Sequence, residues 1–588
     1  MFLRTVKASG GKGVQHEYLR VVEGYREGGK NKQRVVCNLG RKDLLAPQLG
    51  ALIRILGGAP AQAAEQVEAV GAWDWGPMLV AQHLWRELGL EAIIDRLSGQ
   101  ARLGGVALAD RALVLVANRL CAPSSEHGLA RWLESDFVCD RYGRRWQAQW
   151  RDDQQRKASG APRVRVAFVQ LQHWYRTLDQ LYALKPELER ELFWRLRDLF
   201  SLKVDLVFYD LTSTYFEGHG PPTLARHGYS RDGKPRDPQV LVGQVLVDGW
   251  PIAHHVFAGN WRDAATLPAV LDDLEQRFGL RRVVVVGDRG MVTVQNLQLL
   301  RAHGQGYLVG LNRRRREDIY NYLARATGPW LECPVGITAR EKTRVPKTEV
   351  QEVASDEPGV RVFVVRSEER LEYERGQRLR AMEEVRELLA ALQTRVAQGK
   401  LKAPEKIGAA AERIVSRHHG CRYYDWQYSD NQFRFFEHPV NLKREQALEG
   451  KYLIRTEEQG LSPVQAVRIY KELSEVERAF ANLKDVIELR PIYHRTDQRV
   501  QAHIFVAALA FLLHRALEKK LKAAGLDLSA TEALQALRSV RVVDLTLADG
   551  RPKCCVTRGS ERAARILTAL GITQRQPPTP TGRGKTVM

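Results

Sequence analysis

Between Lys203 and Arg316 short β-branched, apolar runs alternate with amphipathic ones, and their order restricts the fold more than any other feature of the chain. VDLVFYDLTSTYF, QVLVGQVLVD, PIAHHVFAGN, RRVVVVGDRG and GYLVGLN read as strands; TLPAVLDDLEQRFG and TVQNLQLLRAHG read as helices. Three strands in succession, then helix and strand in alternation, predict an antiparallel meander opening an α/β sheet of mixed strand direction. Asp210 falls on the first strand. Asp288 closes the strand after the first helix, where Gly287 and Gly290 let the backbone turn tightly. A carboxylate that follows a buried run leaves the core at a sheet edge. Two such acids, joined by a third, could hold divalent cations, which polarise a phosphodiester and turn water into a nucleophile.

The third acid is Glu477, on a strongly helical stretch with clear punctuation. Ser462 is expected at the N-cap, Pro463 at the first helical position and Gln465 as the partner in a capping box. The helix should end before Pro491. Tyr470, Glu477 and Lys484 are spaced by seven residues each. At roughly 100° per residue successive members drift by only about 20°, so a continuous helix carries all three on one stripe. A carboxylate flanked by a phenol and an ammonium offers a metal ligand beside two groups able to touch a phosphate backbone; a merely charged surface face gives the same pattern.

Composition points to a polyanionic partner. Lys and Arg number 90 against 69 acidic residues, a formal charge of +21, with the basic residues spread along the whole chain. DNA or RNA is the first candidate. Seven cysteines, without CxxC spacing, argue against zinc and against a disulfide scaffold; the vicinal Cys554 and Cys555 read as one buried and one exposed strand residue. The start lacks a long apolar run and the later apolar stretches look broken by charge, so no membrane span and a reducing cytoplasm are expected.

Around the central segment, residues 1–74 are expected to form an N-terminal β-hairpin module, with YLRVVEGYREGGKNKQRVVCNL turning at Gly-Gly-Lys-Asn. Residues 75–200 read as helical; Arg beside Trp in RYGRRWQAQWRDDQQRK would suit a duplex end, or simply the packing of a helical domain. From 313 to 456 the sheet signal fades into short strands, VRVFVVRS, QFRFFEHPV and KYLIRT, and a charged helix. This is read as an insertion of mixed β and helical character. Residues 457–524 supply the closing helices, including the apolar HIFVAALAFLLHRALEKKL, and 525–588 end in the flexible-looking QPPTPTGRGKTVM.

The pattern Tyr470, two residues, Leu473, three residues, Glu477, six residues, Lys484 resembles the Y-x2-R-x3-E-x6-K signature of bacterial insertion-sequence transposases with a DDE active site. VERAFANLKDVIELRPIYHRTDQRVQAHIFVAALAFLL is similar to the C-terminal segment of that group. YDLTSTYFEG and VVGDRGM are similar to the segments holding its two aspartates, and YLRVVEGYREG and RVVCNLGRKD to the start of one subgroup. The resemblance implies a ribonuclease-H-like core, 201–312 with 457–524, interrupted by a β-rich insertion and preceded by a mainly helical region that binds DNA. It implies catalysis and metal binding by Asp210, Asp288 and Glu477, with two Mg²⁺ or Mn²⁺ ions. It also implies hydrolysis at transposon ends followed by strand transfer. The partners would be double-stranded DNA, as terminal inverted repeats and target, and a second copy of the chain in a homodimer at the nucleoid. Leu473 stands where the family has arginine and cannot hydrogen-bond phosphate.

Among the remaining polar positions, Tyr470, Lys484, Arg289 and Arg478 are candidate DNA contacts. Trp426, with Tyr428, is a candidate for stacking on a flipped base at a hairpin end, core packing being the plainer role. His254 and His255 read as strand residues, and Arg313 to Arg316 as a phosphate contact or a solvated turn. A nuclease of the same fold without strand transfer, and an inactive DNA-binding protein, are the alternatives.

Overall fold

Runs of Val, Leu and Ile form the strands around the acids. In chain order these are β1 (Leu206–Tyr215), β2 (Gln239–Val247), β3 (Trp250–Ala258), β4 (Val284–Gly287) and β5 (Gly306–Gly310), then β6 (Leu331–Glu332), β7 (Thr348–Val353), β8 (Arg361–Ser367) and β9 (Lys451–Thr456). A computed structural model describes residues 2–9, 15–27, 30–42, 68–99, 102–103, 105–143, 145–148, 167–169, 171–200, 206–287, 293–311, 318–334, 346–547 and 552–578. The chain makes two compact units. The first comprises Met1–Lys203, Leu211–Trp261 and Glu477–Met588; the second comprises Val204–Asp210 and Arg262–Val476. Strand β1 begins in the second unit and ends in the first.

In the second unit the strand order is β1, β4, β5, β9, β8, β7, β6. β1, β4 and β5 are parallel; β9, β8, β7 and β6 continue antiparallel. The sheet is therefore mixed, as expected. It does not stop where the insertion was expected to begin: β9 pairs directly with β5, Leu308 opposite Thr456, and brings β8 and β7 with it. Helix Leu267–Phe278 buries Leu267, Val270, Leu271, Leu274 and Phe278 at three and four spacing. It stops at Gly279, whose φ of 69° is left-handed and suits glycine. Residues between β8 and β9 form a mainly helical subdomain. Helices Glu368–Ala397 and Pro404–Ser416 and the hairpin Tyr424–Ser429 with Gln432–Glu437 enclose Val385, Leu389, Leu392, Ile407, Ala411 and Phe433.

In the first unit the later half of β1 precedes the antiparallel pair β2 and β3, in the order β3, β2, β1. The N-terminal strands Phe2–Ser9, Gln15–Glu27 and Lys30–Arg41 make a three-stranded antiparallel sheet, one strand more than the expected hairpin. Helix Asp497–Ala523 packs on helices Leu108–Cys121 and Leu171–Ala183 and on β3. Its apolar stretch is less broken by charge than the sequence reading held, and by length and composition it could cross a membrane. Most of that stretch is buried inside the unit, which makes it a core helix. All seven cysteines are free thiols; Cys554 is exposed and Cys555 half-buried, so neither is the buried member expected of the pair.

Candidate active site

The two aspartate segments run side by side. β1 and β4 pair in parallel through Leu206↔Val284, Val207↔Val285 and Phe208↔Val286. The last pair stands two residues before Asp210 on one strand and two residues before Asp288 on the other. Asp210 is half-buried and follows the fully buried Tyr209, whose hydroxyl donates to Thr266 Oγ1 at 2.9 Å. Burial pushes the Tyr209 phenol well above its usual range, and the Asp210 charge adds to this against the Thr266 hydrogen bond. Thr266 in turn donates to the Asp263 carbonyl at 2.7 Å, which fixes the hydroxyl behind Asp210. Asp288 and Arg289, directly beyond β4, lie outside the described residues, as does the run Arg313 to Arg316.

The helix Pro463–Ala481 carries Glu477; the side chains of 474 to 480, Glu477 and Arg478 among them, lie outside the described residues. Its start is built as the sequence predicts. Ser462 Oγ accepts from Gln465 N at 3.2 Å, and Gln465 Oε1 accepts from Ser462 N at 2.9 Å. Tyr470 is stacked on Tyr452, ring centroids 5.8 Å apart. Leu473 is 6% exposed, so the family's arginine position is here a core position. Neighbouring Lys471, half-buried, donates to Thr348 Oγ1 at 3.0 Å, and burial lowers its pKa.

Lys484 corrects the helix arithmetic. The α-helix ends at Ala481 and the chain continues in a π-helical turn over Asn482–Val486, so the 100° step does not reach Lys484. The side chain is 9% exposed, and its Nζ donates to Asp232 Oδ1 at 2.8 Å. Asp232, in the loop between β1 and β2, also accepts from Arg490. Burial lowers the Lys484 pKa and the Asp232 charge opposes that shift. Asp232 was not anticipated: GYSRDGKPRDP has no periodicity, and nothing local ties it to a lysine 252 residues away.

Trp426 belongs to the hairpin of the helical subdomain. Its ring stacks on Phe433 at 5.9 Å and its Nε1 donates to Glu412 Oε1 at 3.2 Å, so packing accounts for it as it stands. His254 is buried, its Nδ1 2.9 Å from Glu189 Oε1 and its ring stacked on Phe505. Among the described residues, Glu126 with His494 and His503 also has metal-ligand composition. It does not fit a cation: His503 Nδ1 faces the Arg119 guanidinium at 3.2 Å and Nε2 faces the Leu489 carbonyl at 3.2 Å, so both ring nitrogens are engaged. The carboxylate oxygen of Asp210, hard and half-buried beside the β4 terminus, does fit a divalent cation.

β1 carries Asp210 and pairs with β4, and the helix that bears Glu477 follows far downstream. Residues 206–513, just over half of the sequence, match the transposase DDE domain, and the chain belongs to the DDE transposases. That domain is metal-dependent, has a ribonuclease-H-like fold, binds DNA, and cleaves and transfers its strands. Residues 3–69 match the IS1634 family transposase N-terminal domain, which makes it an insertion-sequence transposase. No curated protein matches the chain.

Proposed function

We propose that this transposase hydrolyses phosphodiesters at the ends of its element and then joins the exposed 3′-hydroxyls to target DNA. The observation that carries the reading is the parallel register of β1 and β4, in which Phe208, two residues before Asp210 in sequence, pairs with Val286, two residues before Asp288. In this reading Asp210, Asp288 and Glu477 hold two Mg²⁺ or Mn²⁺ ions. Bound there, the ions supply Lewis-acid activation of the phosphodiester and a lowered pKa for the attacking water or hydroxyl.

The chain's own groups do the rest. The Tyr209 to Thr266 hydrogen bond anchors the middle of β1, so that Asp210 meets its ligand without reorganisation. Arg289, beside Asp288, and Lys484, Arg478 and Tyr470 on the closing segment contact the DNA backbone, positioning the duplex without reading its sequence. Trp426 stacks on a base flipped out at a hairpin end, leaving its place against Phe433. The chain acts as a homodimer on two terminal inverted repeats, within the cytoplasm at the nucleoid. The helical subdomain with its β-hairpin is the insertion, and the helical region of 75–200 grips the duplex.

The test is cleavage of labelled DNA carrying the element's inverted repeats, with Mg²⁺, with Mn²⁺ and with chelator. Nicks at the repeat boundary that need the metal, followed by joined products, are expected; repeat DNA that is bound and left intact in both metals refutes the reading. Cleavage without joined products would mark a nuclease. Leu473, a core residue where the family has arginine, favours the reading of an inactive DNA-binding protein, and the same assay tests it.

A further inference from the structure

The loop His219–Pro238, between β1 and β2, is polar and rich in Gly, Pro and Arg, yet it is fixed along its length within the first unit. Arg226 and Gln239 exchange backbone hydrogen bonds at 3.1 and 2.8 Å, and Gly259 N donates to the Leu224 carbonyl at 3.1 Å. Gly228 lies so close to β3's end that a Cβ there would meet the Gly259 carbonyl oxygen at 1.9 Å. Arg231 N donates to Ser213 Oγ at 2.8 Å, and the Gln239 amide donates to the Lys234 and Asp237 carbonyls at 2.9 and 2.8 Å. These bonds bracket Asp232, whose side chain is only 4% exposed.

Asp232 carries two cations on one oxygen. Oδ1 accepts from Lys484 Nζ and from Arg490; Oδ2 is buried and has no hydrogen-bond partner among the described residues. A carboxylate selected for stability would use both oxygens, because a buried unsatisfied one is costly. What this geometry achieves is local: it holds a buried ammonium beside a partly exposed guanidinium. Arg490 also pairs with the exposed Asp485, so its charge has a second counter-ion. Among the described residues the charged groups that act most on Lys484 are Asp232, Arg490 and Arg231, and of these three Asp232 is the acid.

We propose that Asp232 is a positioning residue for DNA cleavage: its buried carboxylate holds the Lys484 ammonium, beside Arg490, at the point from which it meets the DNA backbone. The inference rests on the reading of Lys484 as a phosphate contact. Without Asp232 two cations would share the site with no buried counter-charge, and Lys484 would give up its proton or leave the site. A point charge on a flexible stem positions nothing unless something holds it. Burial already favours loss of the Lys484 proton and Asp232 opposes that loss, so the pair also favours the charged donor.

The full-length protein tests this with Asp232→Asn, Asp232→Glu, Lys484→Gln and the double variant Asp232→Asn with Lys484→Gln. Amine labelling of Lys484, read by mass spectrometry across pH without DNA, should shift to lower pH in Asp232→Asn while the other lysines keep their profiles as the control for folding. Nicking of repeat DNA by the same variant should fall by about tenfold or more, the scale of one lost charge-assisted contact. The alkaline limb of its pH profile should move down, Asp232→Glu should recover part of the rate, and Asp232→Asn should add almost nothing in the Lys484→Gln background. Unchanged Lys484 labelling overturns the proposal. So does wild-type nicking or faster nicking by Asp232→Asn, or a full further loss in the double variant. If the unaltered protein cuts no repeat DNA, the cleavage reading fails, and Lys484 labelling still reports whether Asp232 holds the ammonium.

Discussion

A carboxylate within a buried strand is useful because the strand cannot move it. Asp210 is one residue beyond a tyrosine whose ring is fully buried and whose hydroxyl is tied to Thr266. Asp210→Asn keeps the shape and removes the charge. It should lower nicking of repeat DNA by about 10³-fold or more, as expected for one member of a group that acts as a unit, while gel-shift binding of the same DNA persists. A second residue-scale prediction concerns His503. Burial holds its pKa down to about 3, with Arg119 and His494 reinforcing the shift. The unfolded chain then binds a proton near the ordinary histidine pKa that the folded chain refuses, so stability falls as pH drops below about 6.5. Glu126 acts in the same direction: burial alone would raise its carboxyl, but His494, His503 and Arg119 outweigh it and hold the pKa low, a stabilisation lost in acid. Chemical denaturation at pH 7 and pH 5 should show a loss of about 2 kcal/mol, smaller in His503→Gln; an equal loss in the variant would refute the assignment. The place of Asp210 on a buried strand was legible because it interrupts an apolar run. Asp232 was not, because a loop acid meets its lysine only through tertiary structure.

At the scale of elements, local chemistry was the readable part. The reciprocal bonds of Ser462 and Gln465 are present at the helix that carries Glu477. Ser462→Ala should weaken that first turn by about 1 kcal/mol, seen as faster hydrogen exchange of the amides of residues 464 to 466 with the rest of the helix unchanged. The strands β1 to β5 were visible from β-branched runs, and helix Leu267–Phe278 from its apolar spacing. Strand order was not: β9 follows β5 by more than a hundred residues, and nothing in KYLIRT specifies Leu308 as the partner of Thr456. β7, TEVQEV, escaped notice because Glu349, Gln351 and Glu352 leave it only two apolar residues. The π-helical turn after Ala481 was equally hidden, since one extra residue in a turn leaves the composition unchanged.

The whole molecule is a strongly basic one, at +21, and DNA is its partner. Binding to repeat DNA should therefore weaken by orders of magnitude between about 50 and 200 mM salt, and a flat salt response would contradict a backbone-led interface. Charge and the order of the acids identified the class of chemistry from the sequence, whereas the division into units did not follow the linear boundaries. Residues beyond Glu477 return to the first unit and give it the buried helix Asp497–Ala523. A chain cut after Val476 keeps every residue of the second unit but strips the first of that helix. Limited proteolysis of the shortened protein should therefore degrade residues 75–200 and spare the second unit's sheet. During synthesis the same dependence imposes an order: the faces of Leu108–Cys121 and Leu171–Ala183 that helix Asp497–Ala523 covers stay uncovered until that helix has been translated, so the nascent polypeptide needs shelter from aggregation.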